Sequence, residues 1–365
     1  MKKTYTGIIA LLFLGITMVI SSCSQTLPKA KGPEDQITVI ADSAEYYELE
    51  PILQQVFSKV IYTPQPENLF HLKQYGHNHL KNIGRTKNVI IIAPLNSGSF
   101  TSKYINSLLD STVKNKVIND SAFVFNKYDL WSKNQLVMIL TSPTMDELKQ
   151  KILAEHENLL YHFQNASDKR LMEMLYHPKY EQVGIEAGIL EKHGFIFYID
   201  SDFKLAMNND EDNFLWIRRG TNSDRERWIF VHWIENASPD LMNKDSVLAI
   251  RNRITKKFYT GTEDSTYVIH DDNYLSVKEV DYKGRYCLMT TGLWRMNDQA
   301  MGGPFLSYTF YDVKTKRLYM IDGSIYFPKF YKRNIIQQVD VLLRSWIPEY
   351  ELTAEQKERF KEALE

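Results

Sequence analysis

Cysteine is nearly absent from this 365-residue chain, which has two, Cys23 and Cys287. That excludes a disulfide framework as the basis of the fold, and a Cys-rich zinc site with it. An excess of one charge is missing too. The 44 Lys and Arg balance 45 Asp and Glu, with no basic block. Nucleic acid is therefore not an expected partner, because clustered Lys and Arg supply most of that affinity. No apolar run reaches the ~20 residues of a comfortable membrane span; the longest, Ile8 to Ile20, falls short. Catalytic signatures are also wanting. There is no G-x-S-x-G elbow, and no G-x-G-x-x-G or G-x-x-x-x-G-K-[ST] loop for a nucleotide. Nothing calls for a cofactor or a metal.

Aromatic residues are abundant, with 22 Tyr, 18 Phe and 6 Trp. Such a composition suits β-rich structure and surfaces that bind by broad, rigid contact. The length fits one large or two ordinary domains. The densest run of Gly, Met and aromatic residues is 292–333. Within it, Phe305 to Tyr311 alternates apolar with polar residues, 312–316 is a polar turn, and Arg317 to Tyr326 returns, which predicts a hairpin. Gly302-Gly303-Pro304 stands just before it. Two glycines there allow a positive φ in a turn or bulge, or the close approach of a ligand to the backbone.

The chain begins with Lys2-Lys3, the apolar run, and Ile20-Ser21-Ser22-Cys23. A basic start, a short apolar core and small residues before the cut describe a secretory signal. With Cys23 in place, the pattern resembles a bacterial lipobox. That implies cleavage before Cys23, a thioether-linked diacylglycerol and N-acylation, and so a membrane partner through several acyl chains. The expected divisions are a signal peptide at 1–22, a flexible tether at 23–36, α+β domains at 37–180 and 181–350, and a charged tail helix at 351–365. No acidic run resembling the surface-export signal of Bacteroidota lipoproteins follows Cys23, and by that resemblance the periplasmic face of the outer membrane is expected.

In the first half, strands at 37–41, 88–95, 122–127 and 136–141 alternate with helices at 45–60, 102–113 and from Pro143 onward. Pro51 is expected in the first turn of its helix. The loop before the 102–113 helix can hold an anion at the helix N-terminus, or be a plain cap. The second half reads as strands then helix, twice, with Leu215-Trp216 and Leu293-Trp294 at similar places in the two units. Asp245-Ser246 is expected to cap the first of those helices, and 333–346 is a core helix. The fold class is α+β: two consecutive α/β-sandwich-like halves, mainly antiparallel, with helices packed on one face.

Several pieces resemble a family of Bacteroidota lipoproteins of unknown function: Pro66-Glu67…Phe70, Asp129-Leu130-Trp131…Asn134-Gln135, 213–217, Arg251-Asn252, Gly292-Leu293-Trp294, Met301-Gly302-Gly303-Pro304-Phe305 and Lys332-Arg333. The resemblance covers nearly all the chain after Cys23. It implies a location and carries no catalytic residues.

Candidate chemistry is sparse. His71, His77 and His79 have the spacing of one-sided metal ligands, and are more simply solvated loop residues. The oxygens of 208–213 suit Ca²⁺ but lack EF-hand spacing. Glu186 and Glu191 are a paired-acid candidate. Trp216, Trp294, Gly302, Gly303, Phe305 and Tyr308 are candidates for a binding surface for an envelope protein or a glycan; at strand spacing the aromatic ones also fit a core. Ser43, Ser111, Ser121, Ser246 and Ser265 lie in Asp-Ser-small triplets that resemble Bacteroidota O-glycosylation acceptors, although Asp and Ser also start helices and turns. The resulting expectation is a lipid-anchored, non-catalytic binding or assembly protein, with a hydrolase near Gly302-Gly303 as the alternative.

Overall fold

The computed structural model describes residues 27–220, 223–261 and 265–365. Cys23 and the signal region, together with Asp264, lie outside the described residues. No described helix is long and apolar enough to cross a membrane.

The first half opens with β1 (Gln36–Ile40) and α1 (Ser43–Phe57), whose Leu49, Leu53, Val56 and Phe57 form the buried stripe. The helix starts earlier than expected, so Pro51 lies inside it and deprives the Tyr47 carbonyl of its amide partner. A small hairpin follows, β2 (Val60–Tyr62) with β3 (Pro66–Asn68), and then β4 (His71–Tyr75). The remaining elements are β5 (Asn88–Ile92), α2 (Phe100–Leu108), α3 (Ser111–Ile118), β6 (Val124–Tyr128), β7 (Leu136–Leu140), α4 (Met145–Ala154) and α5 (His156–Leu175). The helix expected at 102–113 is two, because Asp110 restarts it by accepting from the Val113 amide.

Strand order in the first sheet is β4-β1-β5-β7-β6, parallel except for β6. Every residue of β5 and β7 is buried, as two covered faces require. Ile90, Ile92, Met138 and Leu140 meet α1, α4 and α5; Val89, Ile91, Val137 and Ile139 meet Ile83, Ile105 and Val117. Helices thus cover both faces, not one.

The second half contains α6 (Val183–His193), β8 (Phe195–Ile196), β9 (Phe203–Asn209), β10 (Phe214–Arg219), β11 (Glu226–Ile234), α7 (Lys244–Phe258), β12 (Val268–Asp281), β13 (Tyr286–Met296), β14 (Gly302–Asp312), β15 (Arg317–Tyr326), α8 (Arg333–Leu343), β16 (Ile347–Pro348) and α9 (Ala354–Glu362). Seven strands form one antiparallel sheet, β12-β13-β14-β15-β11-β10-β9. The two strand groups share one sheet, because β11 pairs with β15 along its length and joins them. The fold is α+β, mainly antiparallel, in two halves.

Both faces of this sheet are covered as well. Leu215, Val231, Phe310 and Ile321 pack against Val339, Leu342 and Trp346; Phe214, Phe230, Leu288 and Met320 pack against Val247, Ile250 and Ile254 of α7. Asn243, not Asp245, caps α7, accepting from the Ser246 amide at 2.9 Å. Gly323 lets α8 lie close, since a Cβ there would stand 2.2 Å from Val339. The halves join through Asp168 of α5, which accepts from Gln337 at 2.7 Å and Arg344 at 2.6 Å.

Candidate functional site

The six candidate surface residues do not form one surface. Phe305 and Tyr308 are three apart in β14, and an odd separation sends side chains to opposite faces of a sheet. Phe305 packs on the α7 side with Trp294; the Tyr308 hydroxyl, on the α8 side, donates to Asp340 at 2.5 Å. Trp294, Phe305 and Tyr308 are buried core residues. Half-buried Trp216 stacks near Tyr259, with the Arg218 guanidinium 4.9 Å from its ring centre.

Gly302 and Gly303 are strand residues paired with Arg295 and Trp294, and neither has a positive φ. Close approach explains Gly303. A Cβ there would stand 2.0 Å from the Ile325 carbonyl oxygen, to which the Trp294 indole donates at 3.2 Å. A depression of about 310 Å³ beside them is lined by Pro64, Asp271, Tyr274, Arg295 and Met301 among others. Its lining holds no Ser, Cys, His or Lys among the described residues, and its polar side chains include Asp271, Tyr274, Arg295 and Gln299.

A larger groove, about 630 Å³, opens where loops from distant parts of the chain meet. One is the tight turn between β12 and β13. Tyr282 and Arg285 exchange backbone hydrogen bonds at 2.9 and 3.2 Å, with Lys283 at φ 54° and Gly284 at φ 79°. Two successive positive φ values make a type I′ hairpin turn, where Asn and Gly are usual. The others are the 312–316 turn, Pro239 with Met242, and Tyr350 with Glu351.

The acids of this groove are occupied. Asp312 accepts from the Thr315 amide at 3.0 Å, the Thr315 hydroxyl at 2.6 Å and the Tyr350 hydroxyl. Burial alone would raise its pKa; these bonds and nearby Arg285 hold it below the usual range. Arg285 donates to Tyr350 at 3.0 Å and pairs with Glu351. The two lysines make their direct contacts with neutral groups. Lys283 donates to the Trp346 carbonyl at 2.9 Å, and the Lys314 ammonium lies 4.2 Å from the Tyr350 ring centre. The Lys283 residue is largely exposed while its ammonium is tucked against that carbonyl. Desolvation pushes its pKa down to about 8, with Arg285 and Arg344 adding to the push and Glu351 opposing it. Val313, 76% exposed, and Tyr286, 53% exposed, give the groove an apolar rim. Among the described residues its lining holds no His, Ser or Cys.

The remaining candidates are structural. His77 stacks on Phe100 and His79 on Tyr75, with ring centres 4.3 and 3.9 Å apart, while His71 is in β4. Among the described residues no group of three His, Cys, Asp or Glu can hold a metal ion. In 208–213, Asp210 pairs with Lys192 and Asp212 with Lys257. Glu186 is buried and accepts from the Ile199 amide at 2.7 Å, whereas Glu191 is exposed on another side of α6. The anion at the N-terminus of α2 is the protein's own: Asp42 accepts from the Phe100 and Thr101 amides at 3.0 and 3.2 Å. Cys287 is buried, and burial pushes its thiol up to about 12, which leaves it unreactive.

Residues 182–345 match the family model described as Domain of unknown function (DUF4837), and residues 30–176 match Domain of unknown function (DUF8532). No curated protein matches. Among solved structures, the Ran-binding protein Mog1p of Saccharomyces cerevisiae is 12% identical, with a TM-score of 0.29 over 43% of this chain and 90% of its own. A protein of Bacteroides thetaiotaomicron VPI-5482 is 7% identical, with a TM-score of 0.24 over 43% of this chain and 46% of its own. The human StarD13 (DLC2) lipid transfer and protein localization domain is 12% identical, with a TM-score of 0.18 over 44% and 89%.

Proposed function

We propose that this chain is a Bacteroidota cell-envelope lipoprotein, anchored through acylated Cys23 at the periplasmic face of the outer membrane, and that it binds rather than catalyses. The anchor rests on the Ile20-Ser21-Ser22-Cys23 pattern and the polar tether after it. The binding role rests on one observation above all. In the 630 Å³ groove each carboxylate is held by a cationic or hydroxyl partner, while the two lysines contact only a carbonyl and a ring and stand beside an apolar rim. The charged residues of the family resemblance have structural employment, as Arg251 paired with Asp322 in the core illustrates. Cys23→Ala tests the anchor: the protein should leave the membrane fraction and lose acyl labelling. Retention in the membrane with unchanged labelling overturns the reading.

O-glycosylation is part of the same proposal. Ser43, Ser111, Ser121 and Ser265 are exposed, as an acceptor must be; Ser246 is half-buried and less suited. Native protein should carry discrete glycan increments above its lipidated mass, and Ser265→Ala should remove one. A native mass equal to the bare lipidated chain ends the idea.

A further inference from the structure

We infer that the groove between the 282–286 and 312–316 turns takes an anionic amphiphile, its phosphate or carboxylate head between Lys283 and Lys314 and its apolar body along Tyr286, Tyr311, Met242 and Val313. This rests on the binding role proposed above and gives that role a ligand class.

Charge supplies the first argument. Arg285 is matched by Asp312 and Glu351, at 3.5 Å for the first and in direct contact for the second. Asp312 is further occupied by Thr315 and Tyr350. Three cations, Lys283, Arg285 and Lys314, face two carboxylates, Asp312 and Glu351, so the lining keeps one net positive charge, presented by two ammonium groups that contact a carbonyl and an aromatic ring. A neutral ligand would leave that charge unanswered, and a cation would be repelled by it.

The second argument is the apolar rim. Val313 and Tyr286 stand out into solvent beside the half-buried Met242 and Tyr311. A free inorganic anion has no use for these surfaces, whereas an acyl or aryl body covers them. The volume is within the roughly 300–1,000 Å³ of small-molecule sites.

The backbone supplies the third. The type I′ turn needs positive φ at its first central residue, and Asn or Gly would satisfy it with less strain. Lysine occupies the position instead, at φ 54°, and this conformation holds its ammonium at the Trp346 carbonyl within the groove. Strain of this kind persists where surroundings enforce it, often at ligand sites.

The test uses the full chain carrying Cys23→Ala, titrated calorimetrically with decyl phosphate, inorganic phosphate and decyl maltoside below micellisation. Decyl phosphate should bind at least about tenfold more tightly than either of the others, a difference well within calorimetric reach. Lys283→Gln with Lys314→Gln should remove that advantage, and Lys314→Gln alone, at an exposed position, should weaken it without shifting the thermal melt. Phosphatidylglycerol vesicles form a second arm. Vesicle pelleting without decyl phosphate binding would assign the lysines to a membrane surface and overturn the inference. Equal affinity for decyl phosphate and decyl maltoside, no binding of decyl phosphate, or an undiminished double variant would each overturn it too. A protein partner crosslinked at the groove, with none of the probes bound, would sink the ligand class and leave the binding role standing.

Discussion

The Glu67 carboxylate closes the N-terminus of α8, accepting from the Lys332 amide at 2.7 and 3.0 Å and from the Arg333 amide at 2.9 Å. Glu67 belongs to the small hairpin of the first half; α8 is the core helix of the second. The unpaired amides of a helix start carry partial positive charge, and a carboxylate from elsewhere satisfies both needs. Arg333 completes the joint, donating to the Leu69 carbonyl at 2.9 Å and lying over the Phe70 ring. The Pro66-Glu67…Phe70 and Lys332-Arg333 pieces of the family resemblance therefore meet in space and lock the halves together. Glu67→Ala should cost about 2 kcal/mol, a lost cap plus buried donors left without partners. Hydrogen exchange should rise first at 332–336. An unchanged urea midpoint would show that the halves do not depend on this contact.

Gly303 makes a second prediction. Because a Cβ would collide with backbone at Ile325, even Gly303→Ala should destabilise by about 2 kcal/mol or more, and Gly303→Val further. Gly188, within α6 with nothing near its missing side chain, is the control. Gly188→Ala should be neutral or stabilise by up to about 1 kcal/mol. Thermal melts of the three variants decide the matter, and a Gly303→Ala melt equal to wild type would refute the close-approach account.

Arg251 and Asp322 are both fully buried and hydrogen-bonded at 2.6 Å, with Ser324 at 3.2 Å and the Phe305 ring centre 3.4 Å away. Removing one partner leaves an uncompensated buried charge, so Asp322→Leu alone should cost about 3–5 kcal/mol. Arg251→Met combined with Asp322→Leu should recover most of that loss. A double variant as unstable as the sum of the singles would mean the pair does not act as a unit.

Glu186 sets a pH dependence. Burial raises its pKa from 4.5 to about 8; the Ile199 amide opposes this and nearby Glu181 adds to it. Between those values the folded chain holds a proton that the unfolded chain has released. The contribution is therefore fully present below pH 4.5 and declines as pH rises through 8. Melting temperature should fall between pH 5 and pH 8.5 by less in Glu186→Gln than in wild type, because the amide copies the protonated acid. Parallel pH profiles for the two proteins would remove Glu186 as the source.

Local pattern made much of the second half legible. The alternation in 305–311 and 317–326 marks β14 and β15, and the stripe in 333–346 marks α8. The same alternation, applied more strictly, would have separated Phe305 from Tyr308. Gly303 was visibly special, but its reason lies in Ile325, a strand away, and no local reading reaches it. The parallel pairing of β4 with β1 was hidden for a similar cause: it joins His71–Tyr75 to residues far back in the chain. The groove was least legible of all. Met242, Lys283, Lys314 and Tyr350 meet only once the chain has folded, and a lysine at positive φ leaves no mark in a sequence.

Photocrosslinking in the native host tests the binding role most directly. A crosslinking amino acid is placed at Tyr286 or Val313 on the groove rim, and at exposed Tyr47 and Tyr161 of the first half as controls. Discrete adducts of one mass from positions 286 and 313, absent from 47 and 161, are the predicted result. No adduct at the rim, or the same adducts from all four positions, would contradict it.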